Sequence, residues 1–384
     1  MRNLAMSTLL ILLLGVGVAH AIDVGGEAHF NYVYYLPTFD GDYDPRAASN
    51  DFSSFEFPLA RLEITGEPYP LWTARLATDV ERVRSFEADV DGDGDTEKVD
   101  TPDEGRFEVV LRYAHIVWQP RLWFGVDAGM TETPWIGFVE RAETRRFIDR
   151  LLVDRAGWLG ELTDLGVAAV GEFPAGYGGY RLQVSNGSGA SNFTVGKHKA
   201  IEARVTLIPA FTDCALRNLS LSLGGRYFTE DDPPGDQLDR DAVLAAMLHW
   251  HYRMFDIGAE GSFDHHWSQP QTRPTSNGLA ATGWLAVRPI SLVEPFVRVE
   301  RFDPDLDASG YGRADSRIDG ERLPADEDGY TRLLAGVTFY PAPKIRFAVA
   351  GRVRWFDETY DAGPERGEPI APEVDARAAL AFEL

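Results

Sequence analysis

The sequence predicts an all-β fold, a transmembrane antiparallel β-barrel of about sixteen strands with short turns at one end and long loops at the other. Three observations predict it. Apolar residues recur with period two through most of the chain, and short and long connections take turns. Beyond the first twenty-one residues, no run reaches the ~18 consecutive apolar residues of a spanning helix. Composition agrees: hydrophobic residues are 44%, aromatics 12%, and the 384 residues include 37 glycines, a balance that suits strands more than helices. Sixty acidic residues against thirty-seven basic give a net charge of -23 and a pI near 4.7. That excess repels phosphate backbones, so no nucleic-acid partner is expected. The single cysteine, Cys214, excludes an internal disulfide framework and a zinc site built from several thiolates.

The chain opens with Arg2, an apolar stretch from Leu9 to Val18, and Ala19-His20-Ala21, a small-x-small cleavage pattern. Residues 1–21 therefore read as a secretory signal peptide and residues 22–384 as the mature barrel. Alternation begins at once. Val24, Ala28, Phe30, Tyr32, Tyr34 and Leu36 share one parity, and Glu27, His29 and Asn31 the other. The same period separates Trp72, Ala74, Leu76 and Val80 from Thr73, Arg75, Asp79 and Glu81, and Ile201, Ala203, Val205 and Leu207 from Glu202, Arg204 and Thr206. Near the end, Val374, Ala376, Ala378, Leu380, Phe382 and Leu384 oppose Asp375, Arg377 and Glu383. In a barrel the apolar parity meets lipid and the polar parity lines a wet lumen.

Tight connections are expected at 66–70, 119–121, 174–179, 253–255, 288–291 and 340–344, with a looser one around Cys214. Long, mostly acidic connections lie at 38–54, 84–105, 131–158, 186–197, 230–240, 267–277, 303–329 and 356–372. Eight long connections and seven short ones imply sixteen strands with both chain ends on the short-turn, periplasmic side. The mature length allows about 23 residues per strand and connection, against roughly 9–11 for the spanning part. A secreted β-sandwich is the competing fold, but nothing in it requires this regular alternation. Aromatics near strand ends, such as Trp118, Trp123, Trp250 and Trp355, suit membrane interfaces.

Several segments resemble the phosphate-selective porin O/P family of bacterial outer-membrane channels: GVDAGMTETP at 125–134, DLGV at 164–167 with Gly171 and YRLQVSNG at 180–187, and EPFVRVERFDPD at 294–305. The alternating C-terminal strand, with Phe382 two positions before Leu384, is similar to an outer-membrane assembly signal. The resemblance implies a porin in the cell outer membrane of a Gram-negative-type bacterium, among lipid and lipopolysaccharide. It further implies passive diffusion of small hydrophilic solutes, a homotrimer, and a third loop folded inward.

Ten arginines fall on predicted lumen positions: Arg75, Arg112, Arg181, Arg204, Arg298, Arg332, Arg346, Arg352, Arg354 and Arg377. Carboxylates interleave with them, among them Glu27, Asp79, Glu202, Glu260, Glu300 and Asp375, so a paired mixed-charge wall and an anion-preferring wall both stay open. The third long loop carries Arg141, Arg145, Arg146, Arg150 and Arg155. Residues 140–155 read as a helix with Phe147, Ile148, Leu151 and Leu152 on its apolar side. On a helix Arg141 and Arg145 share a face, as do Arg146 and Arg150, and folded inward they form a pore constriction that favours anions. The alternative is local neutralisation by Glu140, Glu143, Asp149 and Asp154.

The run DVDGDGDTEKVD at 89–100 places Asp89, Asp91, Asp93 and Asp95 at alternating positions with Asp100 at the twelfth, a spacing that admits Ca2+. It lacks the closing glutamate, and a solvated acidic loop tip is the alternative reading. His249 and His251 share a strand face, but antiparallel register puts His249 opposite about Ala259, away from His265 and His266, so the four do not converge on a metal. No nucleophile elbow, phosphate loop or dinucleotide fingerprint occurs, and the chain does not read as an enzyme. The functional readings are therefore a diffusion channel, an anion- or phosphate-selective channel with an arginine-lined constriction, and a non-conducting surface barrel with calcium-binding or adhesive loops.

Overall fold

The computed structural model describes residues 22–36, 53–83, 85–88, 97–100, 106–187, 189–190, 199–209, 215–232, 237–269, 276–304, 306, 329–356 and 372–384. Among these the first strands are β1 (Ile22–Leu36), β2 (Ser53–Tyr69), β3 (Trp72–Val83), β4 (Ser85–Ala88), β5 (Glu97–Asp100) and β6 (Arg106–Arg121). The middle ones are β7 (Phe124–Glu132), β8 (Thr163–Glu172), β9 (Gly178–Ser185), β10 (Ala200–Leu207), β11 (Leu219–Asp232) and β12 (Gln237–Tyr252). The last are β13 (Phe255–Gln269), β14 (Ser276–Val287), β15 (Val293–Asp303), β16 (Tyr330–Ala342), β17 (Ile345–Phe356) and β18 (Glu373–Glu383). Sixteen of them form one closed antiparallel barrel, and β4 with β5 makes a separate hairpin. Closure runs from Glu27↔Glu383 to Leu36↔Val374 between β1 and β18, which leaves no free sheet edge. The all-β antiparallel barrel expected from the sequence is thus the observed fold.

Parity sorts the side chains. Leu62, Trp72, Leu165, Val167, Leu223, Leu244, Phe263 and Val349 are exposed on the outer face, while Asp79, Asp127, Arg226, Glu300 and Asp375 are buried inside. An apolar band outside a hydrogen-bonded wall is what a hydrocarbon solvent selects, since every backbone group must find its partner within the sheet. The inner wall departs from the expected uniform polarity. Ala286, Leu334, Ala348, Ala350, Ala379 and Ala381 also face inward, because a loop packs on them.

Three connections differ from the sequence expectation: the turn expected at 66–70 lies at 70–71, because β2 runs on to Tyr69 opposite Trp72. The turn expected at 119–121 falls two residues later, since β6 runs through Pro120 to Arg121. The register shift between Trp118 and Arg121 marks a bulge there, a place where a strand tolerates a proline that cannot donate to the ladder. The connection expected over 230–240 is mostly ladder, with β11 and β12 paired out to Asp232↔Gln237. Backbone pairing, indifferent to side-chain polarity, carries those strands past the apolar band. At the short-turn end, Leu71 (φ 71°) and Arg253 (φ 53°) hold left-handed conformations that two-residue hairpin turns demand.

The leader expected over 1–21 lies outside the described residues, as do Asp89, Asp91, Asp93 and Asp95. Asp100 ends β5 opposite Ser85. It therefore stands three positions, about 10 Å of strand, beyond Glu97, where pairing with Ala88 begins.

Candidate functional site

The connection between β7 and β8 turns into the barrel. It contains two short helices, α1 (Ile136–Ala142) and α2 (Leu152–Ala156), in place of the single helix expected over 140–155. The break is at Glu143, whose backbone leaves the helical region (φ -100°, ψ 96°). Ionic capture by the wall accounts for it. The Glu143 carboxylate accepts from the backbone N–H of Arg145 at 3.1 Å and pairs with Arg145 at 2.9 Å and Arg298 at 3.4 Å. The apolar side chains go where the sequence suggested they would be hidden. Phe147 and Ile148 pack on β14–β18, Leu151 against β12 and β14, and Leu152 against Ala280, Phe302 and Tyr330.

Asp149 fixes this docking. Five guanidiniums lie within 4 Å of its carboxylate: Arg332 at 2.7 Å, Arg377 at 3.1 Å, Arg298 at 3.2 Å, and Arg155 and Arg352 at 3.9 Å. Burial acts to raise its pKa, but Arg377, Arg155, Arg352 and Arg298 together hold the carboxyl well below the usual carboxylate range. Glu300 completes the cluster through Arg155, Arg332 and Arg298. Wall side chains also serve the loop's main chain: Arg377 donates to the Ile148 carbonyl at 3.4 Å, Arg346 to Thr144 at 3.1 Å and Asn31 to Ile148 at 3.3 Å. At the other end of the loop, Trp135 donates to Glu260 at 2.6 Å, and Arg226 donates to the Trp158 carbonyl at 3.1 Å.

The five loop arginines therefore divide. Arg145 and Arg155 are anchors turned to the wall, so the expected Arg141/Arg145 and Arg146/Arg150 faces do not form. Arg141 (60% exposed) and Arg150 (63%) stand in the lumen, each in front of a less exposed carboxylate, Glu132 at 2.6 Å and Asp154 at 3.0 Å. Arg146 pairs with Glu140, whose carboxyl is pushed up by burial against the pull of Arg146. All ten wall arginines have inward strand positions, in two groups. Arg298, Arg332, Arg352 and Arg377 hold the loop through Asp149, Arg346 holds it through Thr144 and also pairs with Glu383 at 3.0 Å, and Arg354 pairs with Glu373 at 3.6 Å. Away from the loop anchor, Arg75 pairs with Glu63 at 2.7 Å, Arg112 with Asp79 at 3.1 Å and Arg181 with Asp127 at 2.8 Å. Arg204 lies over the Phe138 ring at 4.0 Å. Arg61, bound to Asp79 at 2.7 Å, and Arg226 also face inward. Neither was named from the sequence, though the alternation of Ala60, Leu62 and Ile64 with Arg61 and Glu63 carries the signal.

The histidines stay apart, with His249 opposite Gly258 and His265 opposite Ala242. Both His249 and His251 approach Asp256 at 3.6 Å. Among the described residues no group of three His, Cys, Asp or Glu side chains is arranged to hold a metal ion.

A closed sixteen-stranded barrel with an apolar outer face and one loop folded into its lumen has the fold of known outer-membrane porins. The sequence itself matches no protein-family model and no curated protein. Among solved structures, the anion-selective porin from Comamonas acidovorans is similar with a TM-score of 0.62 at 10% identity, covering 95% of this chain and 100% of that one. The outer-membrane channel DcaP of Acinetobacter baumannii gives 0.62 at 11%, covering 95% and 98%. OmpF of Salmonella typhi, in complex with daunomycin, gives 0.57 at 10%, covering 95% and 98%. At such identities the likeness is one of fold.

Proposed function

We propose that the chain forms a water-filled channel for passive diffusion of small hydrophilic solutes or ions, with the β7–β8 loop as its constriction. One observation supports this reading: the loop is pinned inside the barrel through Asp149 and its apolar residues, chiefly against β12–β18, which is where a constriction would sit. The rest of the wall presents charged pairs that keep the passage wet. In the same proposal residues 1–21 are a removed leader, residues 22–384 the mature barrel, and the assembly a homotrimer, checked by sedimentation in detergent. Liposome swelling tests the channel: uptake of small sugars should fall steeply with their size, and sealed proteoliposomes would refute it.

A second reading, an anion preference of the kind the phosphate-selective porin O/P resemblance implies, is favoured by the greater exposure of Arg141 and Arg150 than of their partners. Replacing both with serine should move the reversal potential in a KCl gradient towards cations. An unmoved potential would remove these two side chains from selectivity.

A further inference from the structure

Beneath α1, at the short-turn end of the barrel, a cavity of about 560 Å3 opens between the loop and the wall of β8–β10. Its charges are unevenly matched. Arg141 is tied to Glu132 and Arg181 to Asp127, and Glu172 stands exposed at the cavity's rim. Arg204 has no such partner. Among the described residues it makes no ion pair, and its Nε and Nη1 find no hydrogen-bond acceptor.

Stacking on Phe138 occupies a face of the guanidinium, and its buried Nε and Nη1 lack an acceptor in its plane. The same cavity mixes polar groups such as Gln119 and Thr206 with an apolar part of its lining, Val117, Val170 and Ile208. Inorganic phosphate would gain the charge but would wet no less of this surface, and a bare halide would use neither the planar edge nor the apolar wall. A carboxylate on an apolar body uses both.

We propose that this cavity binds organic monocarboxylates with an apolar or aromatic body, the carboxylate on Arg204 and the body against Val170 and Ile208. The inference deepens the channel reading and rests on it only for the route by which a solute arrives. Calorimetric titration of the full-length detergent-solubilised barrel tests it with sodium benzoate, sodium acetate and inorganic phosphate. Benzoate should bind saturably, at least about tenfold tighter than acetate or phosphate, as burial of a phenyl ring predicts. Arg204→Gln should weaken benzoate about tenfold or more, the loss of one charge-assisted contact. Ile208→Ser should narrow the benzoate-to-acetate gap and leave acetate unchanged.

Absent benzoate binding, phosphate binding as tight as benzoate, or an unchanged affinity in Arg204→Gln would overturn the site. Circular dichroism checks the barrel of each variant. Should Arg204→Gln not fold, Ile208→Ser decides alone, and an unchanged benzoate-to-acetate ratio overturns the proposal. Planar-bilayer current separates the two readings. Benzoate binding without conductance refutes the channel and leaves the site standing, whereas conductance without benzoate binding refutes the site alone.

Discussion

Replacing Asp149 with asparagine keeps its shape and removes the charge shared by five guanidiniums. Magnitudes decide whether the loop stays docked. The buried side chains of Phe147, Ile148, Leu151 and Leu152 hold it with about 1.5–3 kcal/mol each, so about 6–12 kcal/mol together. Ordering the backbone of residues 143–151 costs about 1–2 kcal/mol for each of roughly nine positions, about 9–18 kcal/mol. Apolar burial alone therefore falls a few kcal/mol short, and the ionic hub makes up the difference. Removing one partner of a buried ion-pair cluster costs about 3–5 kcal/mol, because charges are left buried and uncompensated. The docked population should fall roughly 10²–10⁴-fold against the released one. Single-channel recordings should then change from steady to flickering current, and trypsin should cut at Arg145, Arg146 or Arg150 in a barrel whose strand ladder is untouched. Steady current together with a protease-resistant loop would refute the reasoning.

The loop also sets two pH responses and one steric limit. Asp149, with its depressed pKa, contributes stability that is whole above the ordinary aspartate value near pH 4 and is lost as pH falls through the lower folded value. Loop protection from trypsin should accordingly hold from pH 7 to about 5 and decline below about 4. Glu140 has the opposite sign: its raised pKa means the folded state favours the proton, so acidification from pH 7 neutralises it without destabilising the loop and uncovers the charge of Arg146. Anion preference, read from reversal potential, should therefore rise on acidification, at a higher pH than an ordinary glutamate would titrate. Glu140→Gln should already show the acidic value at pH 7, and an unchanged pH response in that variant would contradict the assignment. Gly224 faces Trp135 so closely that an added Cβ would sit 2.6 Å from the indole. Gly224→Ala should displace Trp135 from Glu260 and cost about 1–3 kcal/mol in urea unfolding, with red-shifted tryptophan emission. An unshifted spectrum would show that the ring is accommodated elsewhere.

Legibility in the sequence depended on which forces are local. Strand parity is a local property under a lipid solvent, so β18 could be read residue by residue from Val374 to Glu383. Loop length marks the two ends of the barrel, which made sixteen strands countable. Pro120 misled because a bulge can house a proline as well as a turn can. The loop's interior was less legible for a different reason. The helix expected over 140–155 is met only at its two ends, in Ile136–Ala142 and Leu152–Ala156, and the stretch between is shaped by arginines over a hundred residues away in sequence, on β15–β18. Five arginines looked alike in the sequence, and only their partners separate the anchors Arg145 and Arg155 from the lumen-facing Arg141 and Arg150. Arg204 gave no signal beyond its parity, since what distinguishes it is the acid it lacks.

The central claim is that the lumen stays open past the docked loop, and single-channel conductance in a planar bilayer tests it most directly. Purified protein should give discrete, steady current steps in KCl whose size scales with salt concentration. A folded, inserted barrel that passes no current would show instead that the loop seals the lumen, as the surface-barrel reading requires.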